Sequence, residues 1–226
     1  MFERPRTANL GTVLASPTFN QLGILVLDGS GSMEEPTAGN ITKAQAVNVA
    51  VREVFTRFRR SRYKRNFSFA VVTFDQNAQP HTPITAATDI DDSGNYDPME
   101  NHGGGTNIGA GLLEAKRIAG DFLRKAPQDP AAMVVIIVMS DGRDGEGGAT
   151  DPAETRRIAE EIKRNPAITI CSTYFAGMGS QDPQAQDHLR ALASDSGNNY
   201  KTVYDAESLR AFFRDSLSIN TNVTIR

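Results

Sequence analysis

The 226-residue chain reads as an α/β protein built on a doubly wound, mostly parallel six-stranded sheet with one antiparallel edge strand and helices on both faces. Three observations predict this. Short apolar runs of strand length alternate with stretches of helical periodicity along almost the whole chain. The runs at 22–27 and 131–139 are continuously apolar, as parallel strands covered on both faces must be. Each then passes into an Asp-Gly pair, Asp28-Gly29 and Asp141-Gly142, at the mouth of the strand.

The first strand is expected over 22–27, followed by a loop over 34–40 that contains Pro36 and Gly39. A helix over 42–58 follows, because Val47, Val51, Val54, Phe55 and Phe58 fall on one face. Its basic end (Arg57, Arg59, Arg60, Arg62, Lys64, Arg65) reads as a solvated helix terminus, where cations oppose the negative end of the dipole. Residues 66–74 make the second strand. Residues 78–85 return beside it as the edge, since Pro80 and Pro83 cannot donate to a central ladder.

An acidic loop covers 89–101, and the glycines 103–105 with Thr106 and Asn107 open a helix reaching about Lys125, with Ile108, Leu112, Ala115, Ala119 and Phe122 inward. After the strand at 131–139 and a glycine-rich loop to Thr150, Asp151 caps a helix that has Pro152 at its first position and ends near Arg164. Residues 168–175 form the next strand. Asp182-Pro183 opens a helix that Gly197 stops, residues 199–204 make the last strand, and Asp205 opens the closing helix with Leu209, Phe212, Phe213 and Leu217 inward. The domain therefore spans 21–219, between an N-terminal extension (1–20) and a C-terminal tail (220–226), with no internal repeat.

Composition narrows the function. A net charge of −3 gives no global attraction to nucleic acid or anionic membrane, so neither is expected as a partner. The single cysteine, Cys171, lies in an apolar run and reads as a small buried residue. No apolar h-region opens the chain, and the longest apolar run is too short to span a bilayer, so a cytoplasmic location is expected.

The candidate site starts at Asp28, Ser30 and Ser32, three oxygen-bearing residues at alternate positions with only glycine between them. In a doubly wound sheet ligands bind where the chain reverses direction, beyond the carboxyl ends of the strands. With the usual strand order, Asp28 and Asp141 face one another across that crevice, and the loop carrying Thr106 lies over the same rim. These five oxygen donors, without His or Cys, suit Mg²⁺, Mn²⁺ or Ca²⁺ and argue against zinc.

Asp-x-Ser-x-Ser, the threonine of Gly-Gly-Thr-Asn and the aspartate of Ser-Asp-Gly resemble the metal-ion-dependent adhesion site (MIDAS) of von Willebrand factor A (VWA) domains. The likeness runs from about 22 to 219 and implies a Rossmann-like fold. It also implies that Ser30, Ser32 and Thr106 coordinate the metal directly while Asp28 and Asp141 hold its waters. A partner protein's Asp or Glu would complete the coordination, making the chain a protein-interaction module. The compact form is similar to bacterial cytosolic tellurite-resistance-type proteins, which implies a stress-response complex with a kinase and a phosphatase.

Two further readings belong to the sequence. Residues 89–100 resemble an EF-hand calcium loop, with Asp89, Asp91, Ser93, Asp97 and Glu100 at side-chain positions, Asn95 at the carbonyl position and Gly94 at the turn. They depart from it in having no flanking helices and in carrying Tyr96 and Pro98. The alternative function is a metal-dependent hydrolase or phosphoryl-transfer enzyme using the same metal. No nucleophile elbow and no phosphate loop supports it, and its one candidate general base is His102, which reads as a surface or loop histidine. His81 and His188 are expected away from the site.

Overall fold

A computed structural model describes residues 19–37, 39–125, 132–144, 150–178, 181–219 and 221. Among these residues six strands, β1 (Asn20–Asp28), β2 (Phe67–Phe74), β3 (Ala78–Ala86), β4 (Ala132–Ser140), β5 (Ile168–Phe175) and β6 (Tyr200–Val203), form one sheet in the order β3-β2-β1-β4-β5-β6. Of the pairings among these six strands only β2–β3 is antiparallel. The chain builds outward from β1 to β3 on one side, then crosses back to lay β4 on the other side of β1. The reversal therefore lies between β1 and β4.

Strand alternation sends side chains to two separate cores. Leu25 and Leu27 of β1 point to one face with Val135, Ile137 and Met139 of β4, under α1 (Lys43–Arg60) and α5 (Ala206–Ser218). Ile24 and Val26 point to the other with Val134, Ile136 and Val138, under α2 (Ile108–Lys125), α3 (Pro152–Lys163) and α4 (Pro183–Leu192). Both faces of β1 and β4 are thus covered, which is why their sequences are apolar throughout rather than alternating. α5 approaches β1 so closely that a Cβ at Gly23 would lie 2.4 Å from Leu217 Cδ2.

Local signals set the helix starts. Thr42 and Gln45 form a reciprocal capping box at α1, Asp151 and Asp182 cap α3 and α4 with proline in the first turn, and Asp205 with Ser208 boxes α5. The edge strand β3 carries a register shift against β2 between Phe69 and Val72, where Pro80 pairs with Val72, a setting in which proline is tolerated.

Most ends shift by one or two residues, and three differences from expectation bear on the site or its surroundings. α2 begins at Ile108, so Thr106 and Asn107 lie before it on the loop. β6 is shorter at each end than the expected 199–204. α4 stops at Leu192 and not at Gly197, because Ser194 pairs with the sheet: its amide donates to Ile170 O at 2.9 Å and its hydroxyl accepts from Ile170 N at 2.9 Å. Asp195 then ties down Gly197 and Asn198. Most of the N-terminal extension and C-terminal tail, Ala131 at the expected start of the fourth strand, and residues 145–149 of the glycine-rich loop lie outside the described residues.

Candidate metal centre

Parallel register delivers the two carboxylates. Leu27 pairs with Met139, which sets Asp28 beside Ser140 at the carboxyl ends of β1 and β4. The Asp28 carboxylate accepts from the Ser30 amide at 2.7 Å and from the Ser140 hydroxyl at 2.5 Å. The Ser30 and Ser32 hydroxyls lie 3.1 Å apart, and Ser32 Oγ donates to Asp141 Oδ1 at 2.7 Å. Asp28, Ser30, Thr106 and Asp141 are buried, and Ser32 is half-buried.

Thr106 arrives from a separate loop that three contacts hold in place. Gly31 N donates to Gly104 O at 3.1 Å, and Asp75 at the end of β2 accepts from Gly104 N at 3.2 Å. Asn107 N donates to Asp75 O at 2.8 Å. Thr106 also abuts the Asp141 loop, since a Cβ at Gly142 would sit 2.8 Å from its hydroxyl oxygen. Burial works against the charge on Asp75, but hydrogen bonds from the Asn77 amide, the His102 ring and the Gly104 amide hold it below the ordinary carboxylate range. The five residues nominated from sequence, Asp28, Ser30, Ser32, Thr106 and Asp141, therefore stand on three loops that touch one another.

Burial, then the facing Asp141 carboxylate, pushes the Asp28 carboxyl well above its usual range. A cation at the site would offset both the burial and the like charge. An octahedral shell at 2.0–2.1 Å places adjacent ligand oxygens about 3 Å apart, as the two serine hydroxyls are. The donor set is oxygen throughout. The residues present fit a hard divalent ion.

Two residues of the site have roles that sequence reasoning did not assign. Ser140, beside Asp141 in the sequence, orients Asp28 through its hydroxyl. Lys43, the first residue of α1, is 4% exposed and donates to Asp141 Oδ2 at 2.5 Å and Glu35 Oε2 at 2.7 Å. Burial alone would lower its pKa, yet the Asp141 and Glu35 carboxylates hold its ammonium above the ordinary value. The one signal for Lys43 was a cation in a helix's first turn, where an acid is favoured.

The setting of His102 requires correction. His102 is not a surface group: its side chain is 1% exposed, with Nε2 2.9 Å from Thr73 Oγ1 and Nδ1 3.2 Å from Asp75 Oδ1. It is packed behind the serine turn, where a Cβ on Gly29 would meet its Cβ at 3.0 Å. His188 lies on a helix, as expected. It is buried on α4 with Nε2 3.3 Å from Asp144 Oδ2, three residues beyond Asp141, and Asp144 Oδ1 accepts from Ile108 N at 2.9 Å at the start of α2. His81 lies on the edge strand as expected, bonded to Thr82 Oγ1 at 2.9 Å.

The acidic loop directs its oxygens elsewhere. Asp91 accepts from the Ser93 amide and hydroxyl, Asp97 accepts from Met99 N, and Asn95 donates to Glu100 Oε2 at 2.8 Å. Asp89 N donates to Ala86 O at 2.9 Å, and Asp92 pairs with Arg59. Among the described residues no three His, Cys, Asp or Glu side chains gather as a metal-holding group, so the carboxylates of Asp89, Asp91, Asp97 and Glu100 are not brought together. Nor, among those residues, is any helix long and apolar enough to cross a membrane.

Residues 24–215 match the von Willebrand factor type A domain in a comparison with protein families. The chain belongs to that family. Similar solved VWA folds include a von Willebrand factor type A protein from Catenulispora acidiphila, 19% identical with TM-score 0.64 over 90% of this chain and 43% of that one. Proximal thread matrix protein 1 from the mussel byssus is 22% identical with TM-score 0.64, over 88% of this chain and 48% of that one. The vWF domain of the type V pili tip protein Mfa5 from Porphyromonas gingivalis is 14% identical with TM-score 0.66, over 93% of this chain and 98% of that one. At such identities the likeness shows the VWA fold alone, and the chain spans less than half the length of the first two. No curated protein matches it.

Proposed function

We propose that this VWA domain is a divalent-metal-dependent protein-interaction module that takes an aspartate or glutamate of a partner at the Asp28–Ser30–Ser32–Thr106–Asp141 site. The convergence of these residues at the β1/β4 reversal carries the reading. VWA domains commonly mediate protein interaction or adhesion, which agrees with it.

When bound, Mg²⁺ or Mn²⁺ supplies a concentrated positive charge with affinity for a carboxylate oxygen. Ser30, Ser32 and Thr106 contribute neutral hydroxyls, so they leave that charge for the partner. Asp28 and Asp141 face the site as acceptors, and Ser140 and the Ser30 amide fix the Asp28 carboxylate in orientation. The Gly31–Gly104 and Asp75–Gly104 bonds keep the serine and threonine loops in register. The packing of His102 behind the serine turn, with Nε2 on Thr73 Oγ1 and a side chain 1% exposed, supports binding over the hydrolase alternative. A cytoplasmic bacterial stress-response complex with a kinase and a phosphatase, as in tellurite-resistance-type proteins, is the setting this reading proposes. A Ca²⁺ ion at 89–100 forms no part of it.

Calorimetric titration with MnCl₂, followed by binding of a library of Asp- and Glu-containing peptides, tests the proposal. Metal uptake, peptide binding lost in EDTA and both lost in Asp28→Ala are expected. Peptide binding indifferent to EDTA would overturn it.

A further inference from the structure

Lys43 is the least expected residue of the site. It occupies the first position of α1, where the positive end of the helix dipole disfavours a cation. It is almost wholly buried, and an unpaired ammonium there would be strongly unfavourable. What compensates it is Asp141 on one side and Glu35 on the other, at 2.5 and 2.7 Å. Its stem is enclosed as well. A Cβ on Gly177, in the connection after β5, would lie 2.6 Å from Lys43 Cε, so the backbone there lies close against the side chain. The adjoining Met178 amide bonds to Pro36 O at 3.4 Å, and the Lys43 amide to Glu35 O at 2.9 Å, closing a pocket around the ammonium.

Asp141 thus has one oxygen on Ser32 Oγ and the other on Lys43 Nζ. We propose that Lys43 is a built-in counter-cation that holds Asp141 in the metal-free protein and competes with the divalent ion for it. This rests on the site being a metal site, as argued above. The physical content is a linkage. A positive charge beside the carboxylate stabilises the empty form, and on metal entry the same charge stands next to a second cation that shares Asp141. Lys43 therefore lowers metal affinity, and by reciprocity the metal lowers what Lys43 contributes to folding. It thereby lets the domain fold with an empty site and tunes uptake of the ion.

Lys43→Met, which keeps an unbranched stem and removes the charge, tests this in the full chain, with Lys43→Gln as a second variant should the first not fold. Two readouts are taken: affinity for MnCl₂ by calorimetry, and Tm with and without MnCl₂. The metal-free variant should melt about 10 °C lower, because an acid loses its partner. Its Mn²⁺ affinity should rise by about tenfold or more, since like-charge repulsion is relieved, and its metal-induced gain in Tm should exceed that of the unaltered protein. Mn²⁺ affinity unchanged or reduced, with the unaltered protein binding Mn²⁺, would overturn the counter-cation role and leave the metal site standing. Binding by neither protein would overturn both. Binding by the variant alone would support the role and refute metal dependence in the unaltered chain.

Discussion

Gly29 illustrates how closely the site loops are packed. A Cβ there would lie 2.1 Å from the Pro98 carbonyl oxygen, a backbone atom, so the serine turn and the 97–102 loop could not both keep their places. Gly29→Ala is expected to destabilise the protein by about 2–3 kcal/mol, the scale of overpacking in a tight site, measured as a fall in the urea midpoint. A change below about 0.5 kcal/mol would mean that the loop yields. At this scale the candidate residues themselves were legible: Asp28, Ser30, Ser32, Thr106 and Asp141 follow from residue type and spacing, and the structure brings their loops together. Lys43, Ser140 and the buried setting of His102 were not legible. Each depends on which residue lies across a loop contact, and no local pattern encodes that. The EF-hand-like spacing at 89–100 shows the converse. Without flanking helices to turn its carboxylates inward, the same residue order makes local turns.

At the scale of elements, side-chain caps mark the helix starts they occupy. Asp205 was read as opening the last helix, and it accepts from Ser208 N at 2.7 Å in a reciprocal box. These bonds, from the Ser208 amide first and its hydroxyl second, hold the Asp205 carboxyl below its ordinary value. The folded pKa lies under the unfolded one, so this stabilisation is present above the unfolded value near 3.8 and is lost as pH falls through the folded one. Asp205→Ala should cost about 1 kcal/mol at neutral pH, whereas Asp205→Asn should retain most of the cap and lose its acid dependence. Denaturant melts at pH 7 and pH 3 check both; equal loss in Ala and Asn would refute the cap. The end of α4 was misplaced because Gly197 looked like a terminator, while Ser194, held by Ile170, ends it earlier. A side chain bonding to a distant strand has no signature in its own neighbourhood.

Across the whole molecule, Cys171 reports on the core. It is wholly buried on β5, its sulfur accepting from Asn199 Nδ2 at 3.6 Å, and burial pushes its thiol up to about 11. Thiol reagents should label it only through opening of the sheet, so native labelling at pH 8 should run at least ~100-fold slower than in denaturant. Comparable rates would mean that β5 opens independently. The alternation of apolar runs and helical periods, the turn chemistry after β1 and β4, and the oxygen-rich motifs are properties of near neighbours in the chain. They alone determined the α/β class, most elements and the five site residues. Which strands lie side by side, which helix brings Lys43 to Asp141 and where His188 and Asp144 meet were decided by tertiary packing. Those contacts join residues about 40 to 100 positions apart, and their energy is set by burial and register.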